Sequence, residues 1–425
     1  MQRLRQGGAL AAALISAAAA AGCTARPPAP AKPGHHALGL TSSQVVTLSS
    51  FGAGDTAFGL NLLSALCRGQ PGANVLISPL SVATGLSMAY LGARGSTATA
   101  MARVLHLPTA RASLILGLRA RRALLASLNR PGVTFAESNG LWADPSLVTS
   151  RSYRVALRQA YRAGVTAVPL LSAPDRARAR INSAVAAETR GHIRDLLPPG
   201  SMPPGSIGWV LTNALYLDAS WRHRFDRAST APGPFHTSSG AVITARYMHG
   251  TSYGFAATAS GWEATELPYR GGRLAMLALL PPGRSPGSTG SAGSCQVPGT
   301  RDLRALTRGL GRPAEHRPIA LPKVKLASSE PLKGALSRLG MGLAFSPQAD
   351  FRGISPQAWR LGFVQHAATL SVTEKGAVAS AATAVGIQPL SLPAPLVFNR
   401  PYLLIIRDML TGEPLMMAWV ANPRS

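Results

Sequence analysis

The stretch from Ser371 to Ser391, SVTEKGAVASAATAVGIQPLS, most constrains what this chain can fold into. From Gly376 to Pro389 it carries no charge and almost no bulk, so it cannot build a core of its own. Its alanines favour a helix, while Gly376, Gly386 and the branched Val378, Thr383 and Val385 suit a pleated strand as well. In a strand, Ala377, Ala379, Ala381, Thr383 and Val385 line one side with small groups, a face that slides between two existing strands without clashing. Left exposed, such a neutral edge invites pairing, and nothing blocks it before Pro389. A flexible linker is the bland alternative, yet linkers usually carry Ser, Pro or charge throughout. A loop held out of a sheet that it fits is the sharper reading.

The run TEKGAVASAAT resembles the hinge of the reactive centre loop of serpins: Glu374, Lys375 and Gly376, then the small residues Ala377, Val378, Ala379, Ser380, Ala381, Ala382 and Thr383. The segment C-terminal to this loop is similar to the serpin C-terminus through Phe398, Pro401, Ile406, Arg407, Gly412 and Pro423. Counting along the family's loop from Glu374 places the scissile bond at Leu390–Ser391, and the downstream spacing to PLVFNRPY points to the same bond. Ala377 stands where the family commonly has Thr, and Val378 where it often has Glu; the first stays small and the second points away from the core.

The resemblance extends over most of the chain. In NVLISPLSVATGL, Pro79 suits the first turn of a helix capped by Ser78. There Ser78 and Ser81 fall at the family's shutter positions, together with Asn213 in LTNAL and His366 in VQHAA. Their plain structural reading is a helix cap and buried hydroxyls, which is compatible with the functional one. A buried polar network of this kind must stay satisfied, since an orphaned group costs ~1–3 kcal/mol. Trp221 falls at the breach, where the loop first enters the sheet, with core packing as its plain alternative. Lys323 falls where the family has a lysine that pairs with the hinge glutamate, here Glu374; read as an exposed ion pair it contributes ~0–1 kcal/mol.

Residues 1–22 have the makings of a signal peptide: Arg3 and Arg5 precede an apolar run, Ala9–Ala21, too short to span a bilayer. The run ends Ala-Ala-Gly-Cys23, which resembles a bacterial lipobox, although the more usual Leu is absent three residues before the cysteine. Lipidation of Cys23 tethers the mature protein to the outer face of the cytoplasmic membrane; without it the protein is simply secreted. A Pro/Ala-rich linker at 23–44 leads into one domain at 45–425. His35 and His36 in the linker lack partners at zinc spacing, and no cofactor is implied. Cys67 reads as a small buried hydrophobe, Cys295 lies in the low-complexity run 283–299, and a disulfide between them is not the favoured reading.

The chain has 38 Arg and 5 Lys, with a net charge of +26, which supports attraction to anionic envelopes or glycans. Arg111, Arg119, Arg121, Arg122 and Arg130 share one helical stretch, where a solvated face is the plain reading and a polyanion site the sharper one. No nucleophile elbow, H-E-x-x-H helix or phosphate-binding glycine loop is present, which argues against an enzyme, and bulk charge alone does not support nucleic-acid binding.

The resemblance implies an α+β serpin fold: a large mixed central sheet, further sheets, about eight to nine helices and an exposed C-terminal reactive loop. It implies a monomeric inhibitor of serine proteases, acting as a suicide substrate by cleavage at Leu390–Ser391 and insertion of the loop into the main sheet. Leu390 beside Pro389 suits an apolar primary pocket, as in chymotrypsin-, elastase- or subtilisin-like proteases. The alternatives are a non-inhibitory serpin serving as a binding or chaperone-like surface protein, and a polyanion-binding lipoprotein with a vestigial loop. The first would be expected to carry bulky, charged or proline residues in the hinge.

Overall fold

The computed structural model describes residues 41–108, 110–202, 208–251, 254–283, 295–310, 317–358, 360–376 and 394–424. Outside them lie the signal segment, Cys23, nearly all of the linker, Ala377, Val378, Ala379, Ser380, Ala381, Ala382, Thr383, Leu390 and Ser391.

Eight α-helices are present among the described residues: α1 (Ser42–Gly69), α2 (Pro79–Tyr90), α3 (Gly95–Leu105), α4 (Arg111–Ala126), α5 (Arg151–Tyr161), α6 (Pro174–Glu188), α7 (Thr300–Leu310) and the short α8 (Lys333–Leu336). Local chemistry sets their ends. Thr41 and Gln44 form a capping box ahead of α1, while Ser78 caps α2 with Pro79 in its first turn. Helices α3 and α5 stop where His106 and Arg162 adopt left-handed conformations, with φ of 52° and 54°.

The largest sheet is antiparallel and six-stranded, in the order β1 (Val75–Ile77), β15 (Pro414–Val420), β14 (Tyr402–Asp408), β9 (Leu274–Leu280), β8 (Glu263–Pro268), β7 (Phe255–Ala257). Strands β9, β14 and β15 are near-continuous apolar runs because they are covered on both faces. Alternate residues divide between two cores. Leu403, Ile405, Met417 and Trp419 meet the helices around α1 and α2. Leu404, Ile406, Met416 and Ala418 meet a four-stranded sheet made of β13 (Leu396–Val397), β10 (Pro318–Pro322), β6 (Val242–Thr251) and β5 (Ala231–His236).

Five strands remain, in two separate pieces. Strand β2 (Val133–Ala143) lies parallel to β3 (Val165–Ala167) and antiparallel to β4 (Trp209–Ala219), with pairing running from Val133↔Ala219 to Ala143↔Trp209. Helix α6 covers this piece through Ile181 and Val185. Strands β11 (Val324–Pro331) and β12 (Gln365–Val372) form an antiparallel pair.

Two expectations are corrected. Cys67, at the end of α1, forms a disulfide with Cys295, which precedes α7; Cys295 packs partly buried against the helical core instead of standing apart in a loop. Arg121 is not part of a solvated face. It is 3% exposed, donates to Asp55 of α1 and to Glu413 beside β15, and so ties α4 to two neighbours.

Candidate functional site

Among the described residues no ladder joins β4 to β12, although the two strands approach each other and a cleft opens at each end of their seam. The upper cleft, about 980 Å³, lies between Tyr216–Ala219 of β4 and Thr369–Ser371 of β12, with Leu76 of β1 and Ile406 of β14 beneath. The lower cleft, about 750 Å³, lies between the first half of β4 and the approach to β12, with Ser81, Val82 and Gly85 of α2 lining it. The strands run in the same direction, since their C-terminal ends meet near Gly376 and their N-terminal ends line the lower cleft. Each therefore lacks a ladder partner on the side that faces the other, and a strand folding back from β12 would enter by parting them, antiparallel to both.

The mouth of the cleft is built around Trp221. Its indole stacks on Tyr269 at 4.4 Å, meets Phe225 edge-on at 6.2 Å, and donates Nε1–H to the carbonyl of Thr373 at 2.8 Å. The chain leaving β12 turns at once, with Gly376 N–H donating to Thr373 O at 3.2 Å. Two backbone bonds hold this turn to the segment beyond β4: Phe225 N–H to Glu374 O at 3.2 Å and Trp221 N–H to Lys375 O at 3.4 Å.

Lys323 occupies the link between β10 and β11, and its ammonium donates to Glu374 Oε1 at 2.9 Å. Thr230 Oγ1 donates to the same oxygen at 2.9 Å. The carboxylate is 6% exposed and the Lys323 side chain 35%, so the pair is half-buried and not the exposed one expected from sequence, and loss of the carboxylate would orphan the Thr230 hydroxyl. Burial pushes the Glu374 carboxyl up, but its own amide and the bonds from Lys323 and Thr230 outweigh that and hold it below its ordinary 4.5.

Deeper in the cleft the four shutter residues fall in one buried chain. His366 Nε2, on β12, accepts from the backbone N–H of Ser78 at 3.0 Å, and Ser78 Oγ donates to Leu415 O at 2.6 Å while capping Ser81 N–H at 3.1 Å. Ser81 Oγ donates to Asn213 Oδ1 on β4. Asn213 Nδ2 donates onward to Asn139 Oδ1 and to Glu137 Oε1 of β2. The N-terminus of α2 thus bridges the two strands that flank the gap. Because Nε2 accepts, the imidazole is neutral with its proton on Nδ1, and burial pushes its pKa down to about 4.

Glu374, Lys375 and Gly376 are thus at the mouth with Trp221 and Lys323, while Ser78, Ser81, Asn213 and His366 span the base. Sequence reasoning missed Thr230, Thr373, Tyr269, Glu137 and Asn139. The run Glu137-Ser138-Asn139 inside an otherwise strand-like segment carried a signal for the last two, since polar residues in mid-strand need partners. Thr230 and Tyr269 reach the site only through tertiary packing.

A family model described as Serpin (serine protease inhibitor) matches residues 53–423. An uncharacterised serpin-like protein of Thermococcus kodakarensis is 35% identical over 362 residues, covering 83% of this chain and 81% of that one. Leukocyte elastase inhibitor of Bos taurus is 29% identical over 385 residues, covering 88% and 100%. The structure of uncleaved ovalbumin has the same fold, with a TM-score of 0.74 at 24% identity over 88% of this chain and 100% of its own. The chain belongs to the serpin family, and protease inhibition is the activity that its family and relatives support in general.

Proposed function

We propose that the protein inhibits a serine protease with an apolar primary pocket as a suicide substrate, cleaved at Leu390–Ser391. The observation that carries this reading is that, among the described residues, no ladder joins the neighbouring strands β4 and β12, directly beside the turn at Gly376 where the small neutral segment begins. The protease serine attacks the carbonyl of Leu390 and forms an ester, and the amine of Ser391 leaves. Freed from its C-terminal anchor, the chain from Gly376 onward adds as a strand between β4 and β12, the behaviour general to serpin loops. A dozen residues gaining ladder bonds at ~1 kcal/mol net supply the drive. The acyl-enzyme is carried along the sheet, and its oxyanion geometry is disturbed before water completes hydrolysis. If insertion is slower than deacylation, the protein is merely a substrate.

Within this reading Glu374, Lys323 and Trp221 hold the mouth, while Ser78, Ser81, Asn213 and His366 hold the base until insertion. Export through residues 1–22, with a tether at Cys23, belongs to the same proposal. The Cys67–Cys295 disulfide supports an oxidising compartment.

Mixing the protein with chymotrypsin tests the central step. The expected result is an adduct stable on a denaturing gel and a released peptide beginning at Ser391. A peptide with another N-terminus moves the bond, and cleavage with no adduct leaves a non-inhibitory serpin.

A further inference from the structure

Five large hydrophobic side chains stand exposed among the described residues, and three of them lie on neighbouring helices: Val46 of α1 at 71%, Leu116 of α4 at 62% and Val155 of α5 at 37%. Helix α4 contacts both α1 and α5. Phe51 packs on Gly117 and Asp55 pairs with Arg121, so α1 and α4 run side by side in one direction, each α1 residue level with the one 66 further along. Val46 and Leu116 are therefore about one helical turn apart on adjacent outer surfaces.

The charge on these helices is one-sided. Their only carboxylate is Asp55, which is buried under Arg121. Arg119, Arg154 and Arg158 are exposed, and Arg119 and Arg162 stand close enough to Arg122 to repel it. A soluble polyanion would engage the arginines alone. Valine and leucine standing among them gain only where the partner also offers an apolar interior.

The chain also arrives here. Thr41 caps α1 one turn before Val46, and the Pro/Ala-rich stretch behind it leads back to Cys23. Extended at ~3 Å per residue, that stretch reaches roughly 50 Å. An anchored N-terminus would therefore keep the α1 end within roughly 50 Å of a bilayer.

We propose that the face formed by α1, α4 and α5 docks on an anionic lipid surface, with Val46, Leu116 and Val155 entering the headgroup layer and the arginines meeting lipid phosphates. This does not depend on protease inhibition, and its test uses no protease. Chains that begin at residue 23 and carry Cys23→Ser, which removes both the apolar signal segment and any acyl anchor, are sedimented with phosphatidylglycerol or phosphatidylcholine vesicles at near-physiological salt. The parent chain is compared with Val46→Ser/Leu116→Ser, with Arg119→Glu and with the control Val242→Ser, which alters a 60% exposed valine on β6. Binding to phosphatidylglycerol but not phosphatidylcholine is expected, weakened at least tenfold by V46S/L116S, weakened and less salt-sensitive in R119E, and unchanged in V242S. If the double variant fails to fold, Leu116→Ser alone carries a severalfold loss. Equal binding by the apolar variants overturns the proposal, as does retention on heparin without sedimentation on vesicles.

Discussion

At Gly376 two constraints coincide: its φ is +64°, and a Cβ built on it would stand 2.2 Å from the backbone nitrogen of Trp221. Handedness alone makes Gly376→Ala cost about 1–2 kcal/mol, before the collision with a backbone that cannot yield. The variant should unfold at lower denaturant when intact, and much less so after cleavage, because insertion releases the turn; equal losses in both forms would contradict this role. Glu374 acts through charge. Its carboxyl is held below its ordinary 4.5, so its contribution is fully present above that value and is lost as pH falls through the lowered one. Glu374→Gln removes the charge and should destabilise the intact protein by ~1–3 kcal/mol at neutral pH, with the difference shrinking once both proteins are compared at a pH below the lowered carboxyl value. A constant difference down to that pH would assign the loss to packing instead.

Among the elements, the N-terminus of α2 is the bridge between β4 and β12, and His366 makes that bridge sensitive to acid. The unfolded imidazole takes its proton near 6.5 and the folded one only near 4. Between those values the unfolded state binds more protons, so stability falls as pH falls, by about 2 kcal/mol from pH 6.5 to 5. Thermal melts of the intact protein across that range should show this slope, and His366→Gln should flatten it; an unchanged slope would place the titrating group elsewhere. Much of this element was legible beforehand. Ser78 before Pro79 fixes a cap, and apolar periodicity fixes the helix behind it. The apolar runs of β9, β14 and β15 are of the kind that strands covered on both faces carry. Hidden were features that depend on non-local packing: the burial of the Glu374 carboxylate under Thr230, the pairing of Cys67 with Cys295, and the turning of Arg121 inward between two carboxylates. A one-dimensional pattern reports which residue types recur on a face, and it does not report what a distant segment places opposite them.

Taken whole, the described residues hold two sheet pieces with no ladder between β4 and β12, and on the proposed reading this is a fold short of its most stable arrangement. The missing strand would add a dozen or so residues of ladder at ~1 kcal/mol each. Set against an unfolding entropy of ~2 cal/mol/K per residue, that gain corresponds to a rise of about 10–20 °C in melting temperature. The decisive measurement is scanning calorimetry of the intact protein and of the same protein nicked at Leu390–Ser391. The account predicts that the nicked form melts about 10–20 °C higher. Coincident melting temperatures would mean that no energy is stored in the intact fold, and the suicide-substrate reading would fail.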